Sequence, residues 1–269
     1  MASTEHHQTN AAEAPDAEPQ VPAPVFPDYF LSPDAVLQDD AHWRFGRKPD
    51  YSKTRKAWEQ TKEMNHAAGS LEELVENLVK NWEIEASYKT QAQEWRTIDA
   101  TKYQFSVNGG SPQSAEEMAK IGTYNALIEP NKYYSPEHMD FSASHKAFKR
   151  MMPTFAWEVL DVYSGPPKAA FRWRHWGFME GDYTAKNDRG EKVAMKSNGK
   201  KIEIKGVTVA ELDDQLRILS LDTYFDPVDM FRQMETDGLN GHEEKLNGLS
   251  NGLKELALGQ GSQCPFMRQ

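Results

Sequence analysis

The sequence predicts an α+β fold in which three helices pack on one face of an antiparallel sheet. Between about residues 70 and 151, apolar residues recur with the 3,4 spacing of amphipathic helices. After Pro153 the apolar residues alternate with polar ones, which is typical of strands. Three helices followed by consecutive strands indicate helices layered on a sheet.

Composition limits the class of protein. Hydrophobic residues make up 38% of the 269 residues, below the roughly 45–50% usual for compact domains. A formal net charge of −10 argues against chain-wide binding to nucleic acid or anionic membrane, since both need a basic surface. No segment approaches the ~18 apolar residues of a membrane span. One cysteine and no secretory-signal pattern lead us to expect a cytoplasmic location.

The chain divides into four segments. Residues 1–26 are rich in Ala, Pro and Glu and predict a disordered tail. Residues 27–64 mix aromatic residues with prolines and predict an extended arm that ends in a short helix around Tyr51–Met64. Residues 65–237 make up the folded domain. In residues 238–269, glycines interrupt leucines at helical spacing, which predicts a flexible tail.

Three helices are predicted at the start of the domain. The first is GSLEELVENLVKNWEIEASYK, where Ser70 is the expected N-cap and Glu73 completes a capping box. The second is SPQSAEEMAKIGTYNALI, and the third runs from about Pro136 to Met151. Pro153 marks its end, because proline cannot continue a helix.

Five strands are predicted. A short one ends at the Asn-Gly-Gly sequence of residues 108–110. Four consecutive strands follow in FAWEVLDVYSG, KAAFRWRHWGFMEGDY, KKIEIKGVTVAEL and LRILSLDTYFDP. The last two are joined at Asp213-Asp214, a tight hairpin. Short connections of this kind predict an antiparallel meander.

The most unusual strand contains FRWRHWGF. Side chains alternate between the two faces of a strand, so Trp173 and His175 share one face while Arg172 and Arg174 share the other. Neither face is purely apolar. We therefore expect both faces to be covered, one by a core or pocket and the other by an arm or a partner subunit.

Two residues are candidates for acid-base catalysis. His175 exchanges a proton near neutral pH if its pKa is unperturbed; the alternative is a buried histidine satisfied by a backbone carbonyl. Asp222 would have a raised pKa in an apolar cavity and could act as a base; the alternative is a surface salt bridge. Asp226 is expected to cap the helix that begins at Pro227.

Arginines and aromatic residues are candidates for substrate binding. Arg172 and Arg174 offer planar arrays of donors for an enolate or carboxylate. Their alternative role is cross-strand pairing with Glu158, Glu203 or Asp161. The aromatic candidates for the pocket wall are Trp82, Tyr124, Trp173 and Tyr224.

Four segments resemble the pathogen-related proteins of plants and their fungal relatives. These segments are DVYSGPPKAAFRWRHWGFMEGDY, SLEELVENLVKNWE, EEMAKIGTYNA and CPFMR. That family belongs to the SnoaL-like branch of the nuclear transport factor 2-like superfamily. His175-Trp176-Gly177 resembles the His-x-Gly on a strand of SnoaL-like cyclases. The resemblance implies a cone-shaped α+β fold, with a curved sheet around the helices and a pocket at one end.

The same resemblance implies a protein that holds a hydrophobic small molecule. SnoaL-like cyclases close rings by acid-base chemistry without metal or cofactor, so a cofactor-free cyclase, isomerase or dehydratase is expected. The alternative is a non-catalytic ligand- or protein-binding module associated with defence. Cys264, followed by Pro265, supplies a third hypothesis, haem ligation through a thiolate. A homodimer is expected because sheet faces in this superfamily commonly pair.

Overall fold

A computed structural model describes residues 25–235. The predictions for the two tails, including haem ligation by Cys264, lie outside the described residues apart from residues 25 and 26. The helices of the described part are α1 (Asp28–Leu31), α2 (Ser52–Thr61), α3 (Leu71–Tyr88), α4 (Ala115–Ile121), α5 (Thr123–Leu127), α6 (Phe141–Met151) and α7 (Asp229–Met234). Its strands are β1 (Gln104–Val107), β2 (Ala156–Ser164), β3 (Lys168–Phe178), β4 (Tyr183–Lys186), β5 (Lys192–Met195), β6 (Lys201–Leu212) and β7 (Ile218–Phe225).

Five strands form the main sheet in the order β1-β7-β6-β3-β2. The neighbouring pairs β2–β3, β3–β6 and β6–β7 are antiparallel, as predicted. Strand β1 differs, because it pairs with β7 in parallel. No hairpin constrains β1, since most of the domain separates it from β7 along the chain. Strands β4 and β5 form a separate antiparallel hairpin, whose first residue, Tyr183, was predicted to belong to β3.

Helix α3 begins where the capping pattern predicts. The Ser70 hydroxyl accepts a hydrogen bond from the backbone N–H of Glu73 at 3.3 Å. The Glu73 carboxylate accepts from the N–H of Gly69 at 2.6 Å, one residue earlier than in a capping box. The predicted N-cap is therefore correct, and the acidic side chain reaches one residue further back than expected.

The second predicted helix is divided into α4 and α5 by Gly122. This glycine has a φ of +89°, and a Cβ there would collide with the Phe141 ring. Both restrictions exclude ordinary side chains at this position. Helix α6 begins at Phe141, later than predicted, because the Asp140 side chain accepts from the N–H of Ala143 at 2.8 Å and fixes the helix start there.

The core lies between the helices and one face of the sheet, which we call the inner face. Leu74 and Leu78 of α3 and Phe171 and Leu221 of the sheet are buried. The predicted class is confirmed: the protein has an α+β fold in which a curved, mainly antiparallel sheet packs on helices. Among residues 25–235, no helix has both the length and the apolar character needed to cross a membrane.

The N-terminal arm, residues 27–64, lies along α3 and then crosses the sheet at its β2 edge. Asn81 of α3 holds the start of the arm, because its amide donates to the carbonyl oxygen of Tyr29 at 3.1 Å and accepts from the N–H of Val36 at 3.0 Å. At the far end, the N–H of Glu63 donates to the Glu158 carboxylate on β2 at 3.1 Å. The arm is thus held at one end by α3 and at the other by β2.

Candidate functional site

A cavity opens between α3, the arm and the inner face of the sheet. It encloses about 140 Å³, which is roughly ten times the volume that one water molecule requires. We call it the polar cavity, because charged and aromatic groups share its wall. Its aromatic lining consists of Tyr51, Trp82, Phe105, Tyr124, Phe155, Trp157, Phe171 and Trp173.

Trp173 of β3 faces this cavity, as its position in the strand alternation requires. Its indole N–H donates to the Thr208 hydroxyl at 2.9 Å. The ring lies against Gly206, the residue opposite it on β6, where an added Cβ would be 2.8 Å from Cε2 of Trp173. Gly206 therefore provides the space that lets the indole lie flat in the cavity wall.

His175 also lines the cavity and is half-buried. Its ring stacks on Phe155 with the centroids 3.6 Å apart. Burial and the nearby Lys149 charge lower the pKa of His175 to about 3, although hydrogen bonding to the backbone of Phe155 acts in the opposite direction. At neutral pH the imidazole is therefore uncharged. His175 therefore lies in the cavity, as the catalytic hypothesis requires. It is also hydrogen-bonded to the backbone of Phe155, as expected for a structural histidine.

Glu83 of α3 is the carboxylate of the polar cavity. The Tyr51 hydroxyl donates to its Oε2 at 2.6 Å, and the Ser87 hydroxyl donates to its Oε1 at 3.3 Å. Burial raises the pKa of Tyr51 well above its ordinary value, and the Glu83 charge raises it further. Burial and the Glu83 charge also raise the pKa of Tyr124. Both phenols thus stay protonated near neutral pH, and the Tyr51 hydroxyl uses its one proton in the bond to Glu83.

Three cationic side chains line the same cavity. Arg55 pairs with Asp34 at 2.7 Å, and Lys80 pairs with Glu76 at 2.6 Å. Lys149 of α6 has no carboxylate oxygen within 4.0 Å among residues 25–235. Its ammonium is therefore the cavity cation with the most freedom to bind an oxygen atom of a ligand.

Arg174 lies on the opposite, outer face of β3 and is fully buried. Its guanidinium pairs with Glu158, with Glu63 of the arm at 2.6 Å and with Glu203 at 2.9 Å. It also donates to the carbonyl oxygen of Thr61 at 3.0 Å. The cross-strand pairing that the sequence analysis gave as the alternative is thus present, and it anchors the arm.

Trp176 completes this outer cluster. The Arg174 guanidinium lies 3.8 Å from the centre of the Trp176 ring, and the indole N–H donates to the Thr61 hydroxyl at 2.8 Å. The outer face of β3 is therefore covered by the arm here, one of the two covers considered above.

Three other site candidates, Arg172, Asp222 and Tyr224, lie outside the lining of the polar cavity. Arg172 forms an exposed pair with Asp161 at 2.5 Å. Asp222 accepts a hydrogen bond from the Ser106 hydroxyl of β1, and Tyr224 is half-exposed. For Asp222 and Tyr224 the reason is the period of β7, which turns their odd-numbered neighbours Leu221 and Thr223 inward. Of the predicted residues, the structure thus brings together Trp82, Tyr124, Trp173 and His175.

Sequence reasoning missed Glu83, Tyr51 and Lys149. Of these three residues, Glu83 alone carries a signal in the sequence. A useful signal was its position four residues after Val79, on the stripe of α3 that faces the sheet. Tyr51 and Lys149 carry no comparable signal, because their contact with the cavity depends on how the arm and α6 pack.

The prediction that Asp226 caps a helix beginning at Pro227 is wrong, because α7 begins at Asp229, its N-cap is Val228, and no side chain caps it. The Asp226 carboxylate accepts from the N–H of Val228 at 2.9 Å and pairs with Arg232 at 2.8 Å. It therefore stabilises the segment that leads into α7. Among residues 25–235, no group of three or more His, Cys, Asp or Glu side chains is arranged to hold a metal ion.

Fold and cavity together define an α+β protein with a small, largely aromatic cavity on the inner face of its sheet. A curated relative, the pathogen-related protein of Hordeum vulgare, is 32% identical over 192 residues. The match covers 68% of this chain and 78% of the relative. The chain therefore belongs to the pathogen-related protein family. No protein-family model matches it.

Several solved structures share part of the backbone. A candidate SnoaL-like polyketide cyclase from Jannaschia is 13% identical and superposes with a TM-score of 0.34, over 58% of this chain and 85% of its own. A protein with a ketosteroid isomerase-like fold from Catenulispora acidiphila is 11% identical, with a TM-score of 0.32 over 58% and 91% of the two chains. These superpositions are partial, so the family assignment comes from the Hordeum vulgare relative.

Proposed function

We propose that this protein binds a hydrophobic small molecule in the polar cavity and catalyses proton transfer on it without a cofactor. The observation that carries the proposal is the Glu83 carboxylate, which bonds to Tyr51 in the wall of a largely aromatic cavity. A carboxylate at the edge of such a cavity can remove a proton from carbon when the substrate is held beside it.

The roles follow from charge. Glu83 takes a proton from the carbon next to a ketone, and the C–H electron pair moves into the enolate. The Lys149 ammonium stabilises the negative charge that develops on the enolate oxygen. His175 is neutral at the working pH, so it acts as a hydrogen-bonding group and not as a cation. Asp222 has no part, since it does not line the cavity.

The test measures exchange of carbon-bound protons. In D₂O, the protons next to the carbonyl of 4-phenyl-2-butanone are replaced by deuterium, which proton NMR follows directly. The wild-type protein should accelerate this exchange, and Glu83→Gln should lower the protein-dependent rate by about 10²-fold or more. Asp222→Asn is the matched control and should leave the rate unchanged. Equal loss in both variants, or no acceleration by wild type, would refute the catalytic role of Glu83.

A second candidate function is binding without catalysis. It is favoured by the engagement of both Glu83 oxygens by Tyr51 and Ser87, and by the stacking of His175 on Phe155. In that case 4-phenyl-2-butanone would bind, as calorimetry would detect, but its exchange rate would not depend on Glu83.

A further inference from the structure

A second cavity lies next to the polar cavity and differs from it in chemistry. It encloses about 280 Å³, and every side chain that lines it is apolar. Its wall includes Phe30 of the arm, Leu74 and Leu78 of α3, and Ala169 and Leu212 of the sheet. We call it the apolar cavity. It contains no group that could orient a polar ligand or take part in proton transfer.

The two cavities are neighbours along the same elements. Val79, Phe171 and Leu221 line both of them. Along β3, Ala169 lines the apolar cavity and His175 lines the polar one; six residues of strand span roughly 20 Å. The cavities therefore lie end to end between α3 and the inner face of the sheet, with three apolar side chains at the junction.

Charge is confined to one end of this arrangement. The ionisable side chains that line the pair of cavities all belong to the polar one; they are Arg55, Lys80, Glu83, Lys149 and His175, together with Tyr51 and Tyr124. Lys149 provides a cation for an oxygen-bearing head group. A hydrocarbon chain in the apolar cavity loses contact with water and gains contacts with the apolar lining atoms, so its binding there is favoured.

We propose that the two cavities form one site for an amphiphile with a single linear hydrocarbon tail. The oxygen-bearing head lies in the polar cavity beside Lys149, and the tail passes Phe171 into the apolar cavity. This inference rests on the proposed function, since it names the ligand class of the same site. The arm contributes to both walls, through Tyr51 at the polar end and Phe30 at the apolar end.

The test is a chain-length series. Isothermal calorimetry measures the binding of straight-chain saturated carboxylates from hexanoate to dodecanoate, each below its micelle concentration. For tails that reach past Phe171, each added methylene should raise the affinity about fourfold, as expected for burial of a CH₂ group. The rise should stop when the apolar cavity is full. Equal affinities along the series would overturn the proposal.

A filled-cavity variant locates the tail. Ala169→Leu places a larger side chain in the apolar cavity. The gain in affinity with carboxylate chain length should therefore be lost, while the affinity for hexanoate stays within about twofold of wild type. Ala194→Leu, which lies outside both cavities, is the control and should keep the full gain. A length dependence that survives in Ala169→Leu would place the tail elsewhere and contradict the proposal. The wild-type series decides the matter even if this variant folds poorly.

The outcomes also separate this inference from the proposed function. If 4-phenyl-2-butanone exchange depends on Glu83 while carboxylates show no length dependence, the amphiphile proposal fails alone. If that exchange is independent of Glu83 but the length series behaves as expected, the ligand class stands and the catalytic role fails.

Discussion

The two faces of β3 use similar residues for different purposes. On the inner face, Trp173 and His175 line a cavity, and His175 is kept uncharged by its surroundings. On the outer face, Arg174 and Trp176 are buried under the arm in a cluster of ion pairs and hydrogen bonds. A strand with aromatic and basic residues on both sides can therefore form a cavity wall on one side and a structural anchor on the other.

The two faces differ in how many carboxylates lie close to their cationic side chains. Arg174 has three acidic partners within 4.0 Å on the outer face, namely Glu63, Glu158 and Glu203. Lys149, in the cavity, has none within the described part of the chain. Removing a buried, fully paired cation leaves its carboxylates uncompensated and destabilises the fold, whereas an unpaired cation beside a cavity is available to a ligand.

The largest expected effect is on stability, when each of the two arginines on the outer face is replaced by methionine. Arg174→Met leaves Glu158 buried without its cation, so the free energy of unfolding should fall by about 3–5 kcal/mol. Arg172→Met removes an exposed pair and should cost about 1 kcal/mol or less. Urea unfolding measures both. Equal losses would show that the buried cluster does not anchor the arm.

The pH dependence of stability tests whether the inner face keeps its histidine uncharged. Below pH 6.5 His175 is protonated in the unfolded state, whereas in the folded state, where its pKa is about 3, it stays neutral. Stability should therefore fall as the pH falls from 6.5 towards 3, by about 1.4 kcal/mol per pH unit from His175, with no contribution above pH 6.5.

His175→Gln removes this contribution and provides the measurement. Urea unfolding between pH 7 and 4 should give a shallower loss of stability for the variant than for wild type. The slopes are compared, and not the absolute stabilities, because glutamine also changes the packing against Phe155. Parallel curves for the two proteins would mean that His175 is not held neutral by its environment.

Much of the fold could be predicted because it depends on local signals. Strand period assigned Trp173 and His175 to one face and Arg174 to the other, and the Ser70 cap gave the start of α3. The break at Gly122 could not be predicted, because it depends on the Phe141 ring, nineteen residues later in the chain. The parallel pairing of β1 with β7 likewise depends on tertiary packing.

The site was harder to predict than the fold. Asp222 and Glu83 are both acidic residues next to apolar ones in the sequence, and only the packing distinguishes them. The phase of β7 turns Asp222 to the outer face, whereas α3 presents Glu83 to the cavity. Tyr51 reaches Glu83 only because the arm folds back over α3, a contact between residues 32 positions apart.

The most direct test of the inner face as a ligand site is a crystal structure of the protein soaked with 4-phenyl-2-butanone. We expect density for the probe in the polar cavity, with its carbonyl oxygen near Lys149 and its ring against the aromatic wall. Arg174 should keep its carboxylate partners in the same crystal. A polar cavity that holds only ordered water at a saturating probe concentration would contradict the assignment of the inner face to ligand binding.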